Sequence, residues 1–308
     1  MVTISEELQK VKIVNESLIT IGVFDGVHMG HKSLMNSLVL EAKSRSLASG
    51  VVTFTNHPGT VVSETFEPNY LTSLEERLQL IEETGVDFVV PVKFTKEVAN
   101  LQADNFTKLL QTELKMHGLM IGPDFQMGKD REANIPTLKT IGEKQGFTVS
   151  VVDVKEISGL TIRSTTVRNA VKQGKIEKAN KILGRNHSIS GRVIKGRQRG
   201  RNLGFPTANF DISSELCLPA NGIYATFIYI EGKQYLSATS IGTNPTFNQE
   251  QRTVETYIMD FEQDIYGLSP KLEFVSKLRD EIAFESIDSL IEQMSQDVEI
   301  AKDILRKA

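Results

Sequence analysis

Short apolar runs alternate with amphipathic stretches through the first half of the chain. Residues 18–24 read as a strand, 32–46 as a helix, 50–54 as a strand and 73–84 as a helix. The same rhythm continues with a strand at 87–92, a helix at 104–117, a short apolar run at 119–121, a helix at 135–145 and a strand at 147–152. Ser73 and Glu76 have the spacing of a capping box, which marks the start of one of these helices. Strand–helix alternation of this kind predicts a parallel sheet covered by helices on both faces. In such folds ligands bind beyond the C-terminal ends of the strands.

The rhythm changes near Gly184. From 188 to about 278 the chain consists of β-rich runs, at 223–230, 235–240, 254–261 and 272–278, separated by Gly, Pro and Asn. Glu231-Gly232, between two of them, reads as a hairpin turn. This pattern predicts a small antiparallel barrel or sandwich. The chain finishes with Phe284, Ile287, Leu290, Ile291, Met294, Val298, Ala301, Ile304 and Leu305, the spacing of an amphipathic helix packed by one face. Two domains are expected, 1–184 and 185–308, an α/β domain followed by a β domain. No internal repeat or low-complexity segment interrupts them.

Composition narrows the function classes. Of 308 residues 40% are hydrophobic and 24% charged, with a net charge of −4, where a nucleic-acid binder or a protein of an anionic membrane surface is more often basic. A single cysteine, Cys217, excludes an intramolecular disulfide and argues against a cysteine-based zinc site, in keeping with a reducing compartment. No run approaches the ~20 apolar residues of a membrane span, and residues 1–12 lack a signal-peptide core, so a cytoplasmic location is expected.

Residues 22–31 read Gly-Val-Phe-Asp-Gly-Val-His-Met-Gly-His, between a predicted strand and a predicted helix. Gly22, Gly26 and Gly30 permit a tight turn and a close approach of backbone to ligand. The helix start supplies free N–H groups and a positive dipole end for an anion. His28 and His31, three apart, can face one ligand and donate to phosphate oxygens as charge builds up. A shared metal is the rival use of two such histidines, although no third ligand lies nearby. Farther on, Ile162-Arg163-Ser164-Thr165-Thr166-Val167-Arg168 opens a helical pattern; its hydroxyls suit a helix cap and its Arg168 a charge-assisted bond to phosphate.

The stretch with His28-Met-Gly-His31 resembles the His-x-Gly-His signature of the nucleotidylyltransferase superfamily, and within it the N-terminal domain of the prokaryotic bifunctional riboflavin kinase/FAD synthetases. The resemblance implies a Rossmann-like domain whose nucleotide and phosphate contacts include Gly22, Phe24, Asp25, Gly30, Ser164, Thr165 and Arg168, with His28 and His31 catalytic. Gly122-Pro-Asp-Phe-Gln-Met-Gly128 matches another family stretch, placing Asp124 near the nucleotide. The chain departs from the family pattern at Arg163 (usually Ser), Met127 (usually Phe) and Asn56 of Asn56-His57-Pro58 (usually Pro), the last expected to loosen its turn.

A second constellation lies in the β half. Arg192, Lys195, Arg197, Arg199 and Arg201 form a cationic run punctuated by Gly191, Gly196, Gly200 and Gly204 and containing no acidic residue. Such a loop can wrap phosphates, yet it is not a Walker loop. Taken alone it reads equally as a solvated loop or a nucleic-acid patch. Pro206 then fixes the chain so that Thr207 and Asn209 face one side of a strand, as oxygen ligands suited to Mg2+. Gly-Arg-x-Leu-Gly-Phe-Pro-Thr-Ala-Asn resembles the ATP-binding motif of riboflavin kinases, as do Gly222-Ile-Tyr224, the stretch from Gly242 to Phe247, and Val254 to Phe261 with Tyr266-Gly267. The resemblance implies that Glu255 is the catalytic base, that Gly191, Gly196, Arg201, Gly204, Thr207 and Asn209 contact ATP, that Thr207 and Asn209 hold the metal, and that Arg279 lies near the flavin beside Phe284. Tyr257 stands where a histidine is common.

Together these resemblances cover nearly the whole chain. They imply phosphorylation of riboflavin to FMN and adenylylation of FMN to FAD, with ATP and Mg2+ and without nucleic acid or membrane. Two alternatives stand beside this: an enzyme with one active domain, the kinase being the more secure, and a nucleic-acid-binding module using the β domain and the Arg run. The absence of Trp, and of any aromatic residue within the run, speaks against the second.

Overall fold

The computed structural model describes residues 3–152, 156–157, 160–196, 200, 203–246 and 249–308. Two compact units emerge: Met1–Pro68 with Leu74–Arg163, and Asn69–Ser73 with Ser164–Ala308.

The first unit runs α1 (Ile4–Leu8), β1 (Ser17–Gly22), α2 (Met29–Ser44), β2 (Ala48–Phe54), α3 (Gly59–Val62), α4 (Leu74–Glu82), β3 (Phe88–Val92), α5 (Lys96–Ala99), α6 (Ala103–Leu114), β4 (Met116–Ile121), α7 (Ile135–Gln145) and β5 (Thr148–Val151), then a small hairpin of β6 (Glu156–Ile157) and β7 (Leu160–Thr161). Five parallel strands are ordered β3-β2-β1-β4-β5, the predicted Rossmann-like arrangement. Alternate side chains of β1 enter two cores: Ile19 and Ile21 pack with Phe106, Leu110 and Leu114, and Leu18 with Met35 and Leu38 of α2. Burial on both faces is why the strand reads as a continuous apolar run. The strand order reverses between β1 and β4, and in folds of this kind ligands bind at that switch point, beyond the C-terminal ends of the strands.

Most predicted helices and strands are present, and α7 has the predicted limits. Asn134 caps it by accepting from the Thr137 N–H, a proline occupies its first turn, and Gly146 ends it at φ 81°. The helix predicted at 104–117 stops instead at Leu114. Lys115 takes the left-handed conformation (φ 49°, ψ 41°), and Met116 already belongs to β4. Periodicity in that segment carried no sign of a non-glycine C-terminal stop.

The second unit begins with α8 (Ser164–Lys172) and α9 (Ile176–Leu183). It continues with β8 (His187–Ser190), β9 (Arg192–Ile194), β10 (Thr207–Asp211), β11 (Gly222–Ile230), β12 (Lys233–Thr246), β13 (Gln249–Ile258), β14 (Lys271–Arg279) and α10 (Ile287–Leu305). Seven antiparallel strands, ordered β8-β14-β11-β12-β13-β10-β9, make a curled half-barrel. Glu231 and Gly232 form the predicted hairpin between β11 and β12, both with positive φ (48° and 79°), the type I′ geometry that matches strand twist. One sheet face buries Tyr224, Ile228, Ile241, Val254 and Phe274. The other face receives α10 through Ala225, Phe227 and Ala238 against Ala301 and Leu305.

The sequence placed a domain boundary at Gly184, where the β rhythm starts, whereas the compact units divide between Arg163 and Ser164. Helices α8 and α9 pack with the β-rich unit, and Ile176 enters its core. Residues Asn69–Ser73 also belong to this unit. There the Tyr70 N–H donates to the Glu215 carbonyl and the Tyr70 carbonyl accepts from the Cys217 N–H, each at 2.7 Å.

Candidate active sites

The loop leaving β1 is held by its own strain and its own burial. Phe24 (φ 51°) and Val27 (φ 34°) adopt left-handed conformations, which are unfavourable for non-glycine residues, on either side of Gly26 (φ 80°). Both side chains compensate by plugging the core under α2, at 6% and 0% exposure. The Phe24 ring folds back over Gly22, where an added Cβ would lie 2.8 Å from it. Asp25 is buried in the same turn.

His28 is the N-cap of α2, and its Nδ1 accepts the backbone N–H of His31 at 3.3 Å. That bond fixes the tautomer: with Nδ1 accepting, the neutral ring carries its proton on Nε2. The two imidazoles stack with centroids 3.6 Å apart, and the edge of Phe24 packs on His31. A Cβ on Gly30 would lie 3.2 Å from the His28 ring, so Gly30 makes room for the stack. Part of His31 remains accessible, but its Nδ1 is buried without a hydrogen-bond partner. Burial, aided by repulsion from His28, holds the His31 pKa well below the usual histidine value of 6.5. Among the described residues no group of three or more His, Cys, Asp or Glu side chains is placed to hold a metal.

The loop after β4 leaves the adjacent strand at the same end of the sheet. Met127 is buried in the main core, which explains how it substitutes for the aromatic residue expected there. Asp124 is exposed and pairs with Arg163, Nη2 to Oδ2 at 2.8 Å. Asn56 does not loosen its turn, contrary to expectation. Its side-chain amide donates to the Phe94 carbonyl at 3.0 Å and accepts the Phe94 N–H at 2.9 Å, tying the loop after β2 to the loop after β3 as proline could not. Ser164, Thr165 and Arg168 lie on the first two turns of α8, in the second unit; Val167, Ala170 and Val171 are the buried residues of that helix.

In the second unit β10 and β13 set the chemistry by register. Asn209 stands directly opposite Glu255, and Thr207 opposite Tyr257. The Thr207 hydroxyl donates to the Glu255 carboxylate at 3.2 Å. Gly196 lies under Asn209, whose amide would be 2.4 Å from an added Cβ, and a Cβ on Gly191 would lie 2.5 Å from the Asp211 carbonyl. Gly200 accepts the N–H groups of Leu203 and Phe205, closing a turn in which Gly204 sits at φ 85°. Arg201 lies outside the described residues. Phe205 packs edge-on against Tyr257, giving that ring a structural partner.

Two cavities meet at Thr207. One, of about 300 Å3, is lined by Thr207, Ser240, Glu255, Tyr257, Arg279 and Phe284 among others. The second, of about 490 Å3, is lined by Pro206, Thr207, Ile258, Phe261, Asp264 and Tyr266 among others. Arg279 is clamped by Asp297 of α10, Nε to Oδ1 at 2.9 Å and Nη2 to Oδ2 at 2.7 Å, with Gln293 donating to the same carboxylate. Asp297 escaped the sequence reading. Its signal was a carboxylate placed inside the apolar stripe of the last helix, where an acid needs a partner. Also unforeseen was a buried chain of hydroxyls, Ser237–Thr226–Thr239–Thr256, with 2.7–3.0 Å links across β12, β11 and β13.

These arrangements have relatives. The family of FAD synthetases matches residues 10–166, and that of riboflavin kinases residues 183–305. Bifunctional riboflavin kinase/FMN adenylyltransferases are 35% identical in Escherichia coli K12, over 93% of this chain and 92% of the relative, and 33% identical in Listeria monocytogenes, over 91% and 90%. The chain belongs to the bifunctional riboflavin kinase/FMN adenylyltransferase family. Both activities, phosphorylation of riboflavin and adenylylation of FMN, reside in this one polypeptide. A crystal structure described as a macrolide-efflux protein from Streptococcus pneumoniae shares the fold, with a TM-score of 0.88 over 96% of each chain at 28% identity. No helix among the described residues here is long and apolar enough to cross a membrane.

Proposed function

We propose that riboflavin phosphorylation takes place where β10 faces β13, with the flavin in the smaller cavity and ATP in the larger. The contact that carries this reading is Thr207 with Glu255, at the junction of the two cavities. Glu255 accepts the proton of the ribityl hydroxyl as that oxygen attacks the γ-phosphorus, and the Thr207 hydroxyl orients the carboxylate. Asn209 and Thr207 present the amide and hydroxyl oxygens that Mg2+ takes, beside a carboxylate, so the donor set fits the ion. Those two residues would hold it, and when bound it neutralises phosphate charge. Arg279, fixed by Asp297, forms a wall of the flavin cavity.

Adenylylation belongs to the crevice beyond β1 and β4; Ser164, Thr165 and Arg168 are phosphate contacts by the family resemblance alone. An FMN phosphate oxygen attacks the α-phosphorus of ATP, and pyrophosphate departs. His28 donates from Nε2 and His31 acts as a neutral imidazole, together with the free N–H groups at the start of α2. We assign the first activity to residues 185–308 and the second to 1–184. A cytoplasmic enzyme working on riboflavin, FMN and ATP, independent of nucleic acid and membrane, fits the net charge of −4. Glu255→Gln tests the assignment: riboflavin with ATP should give no FMN, while supplied FMN is still converted to FAD. Loss of both reactions would refute separate sites.

A further inference from the structure

We propose that Arg163 is an exchangeable contact for the ATP triphosphate in adenylylation, held by Asp124 until nucleotide arrives. The inference rests on placing adenylylation at the crevice beyond β1 and β4. Arg163 directly precedes Ser164, the first residue of α8, and stands where the family pattern has a serine. Its guanidinium donates to the Asp124 carboxylate at 2.8 Å, and Asp124 sits on the loop that follows β4 at the point where strand order reverses.

The two side chains are 67% and 76% exposed. A solvent-screened pair of this kind adds little to stability and breaks easily. A triphosphate offers several negative oxygens in the geometry that a guanidinium fork matches, and it outcompetes one carboxylate for the same donor. Asp124 thereby neutralises an additional cation while the crevice is empty and releases it when polyphosphate enters. Serine could supply neither the charge nor the fork.

The test is steady-state adenylylation at saturating FMN, with MgATP varied between about 50 and 300 mM salt. Wild type, Arg163→Ser, Arg163→Lys, Asp124→Asn and the double variant of Arg163→Ser with Asp124→Asn are compared, with the ATP KM of riboflavin phosphorylation in the same preparations as internal control. Arg163→Ser should raise the adenylylation KM for ATP about three- to tenfold and flatten its salt dependence. The lysine variant should recover part of the loss, the kinase KM should stay constant, and the serine effect should persist in the Asp124→Asn background. An unchanged KM overturns the proposal. So does an effect that disappears once Asp124 is replaced, because Arg163 would then only brace the loop. His28→Ala separates the underlying reading: if FAD still forms, the crevice is misplaced; if FAD is lost while Arg163→Ser leaves KM unchanged, only the exchange fails.

Discussion

The turn carrying His28 bends at three left-handed positions, two of them, Phe24 and Val27, without a glycine's freedom. Thr207, Asn209 and Glu255 instead sit in regular antiparallel register on neighbouring strands. In the first case the histidines proposed for catalysis follow a strained loop, at the cap and first turn of α2, and buried side chains hold that loop in place. In the second, ladder hydrogen bonds fix them, and the buried hydroxyl chain reaches β13 from the other face through Thr256. A loop exposes backbone N–H groups, which phosphate stabilisation requires. A strand pair offers stiffness, which a base that must meet one particular hydroxyl requires.

The sharpest break of this comparison is a crossed pair of substitutions. His28→Ala should lower FAD formation from FMN by about 10²–10³-fold and spare FMN formation. Glu255→Gln should do the opposite, by about 10²–10⁴-fold. Next come the glycines under each site. Gly196→Ala drives a Cβ into the Asn209 amide and should cut kinase kcat/KM by roughly tenfold to a hundredfold. Gly30→Ala meets softer contacts, at 3.1–3.2 Å from the Ile162 and His28 side chains, and should cost adenylylation only a few-fold, because those side chains need give only a few tenths of an ångström whereas Asn209 is held on a strand. If Gly30→Ala proves the more damaging, the contrast of loop with strand is wrong.

Acid should distinguish the units as well. His187 is buried in the second unit, its Nε2 3.1 Å from the Cys217 carbonyl, and burial pulls its pKa from 6.5 to about 4. Because the folded state favours the neutral ring, the unfolded chain binds the proton more readily. Stability is therefore complete above about pH 6.5 and declines as pH falls toward 4, by on the order of 2–3 kcal/mol. Urea unfolding of wild type and His187→Asn at pH 7 and pH 5 would show it: the wild-type loss should shrink in the variant. The smallest effect concerns the first unit. Asn56→Ala removes both bonds to Phe94 and should lower stability by about 1–2 kcal/mol in thermal or urea unfolding.

The sequence disclosed those parts whose signals are local. Asn134 and Gly146 announce the ends of α7, and Glu231-Gly232 announces a hairpin. Helix α9 escaped notice because its eight residues cover barely two turns, too few for periodicity to register, although Ile176, Ala179, Ile182 and Leu183 are buried. Strand β12 runs on to Thr246, past the expected end at 240, since the glycine- and proline-containing stretch after Ser240 reads as loop until it is seen paired with β13. Within the proposed sites, residue types and spacing drew attention to His28, His31, Thr207 and Asn209, while Glu255 followed from the family resemblance alone. Pairings distant along the chain stayed hidden: Asn56 with Phe94, Asp124 with Arg163, Arg279 with Asp297. A long-range partner leaves no local period.

The short stretch Asn69–Ser73 gives the chain a timetable. Tyr70 leaves the ribosome early, but the residues that receive its backbone bonds, around Leu216, are synthesised about 146 positions later. At ordinary elongation rates that is a wait of roughly 7 to 30 s. A fragment ending at Arg163 would wait indefinitely, with one peptide donor and one acceptor left to water, so splitting the gene at that point should yield a front half that improves when the back half is supplied alongside it.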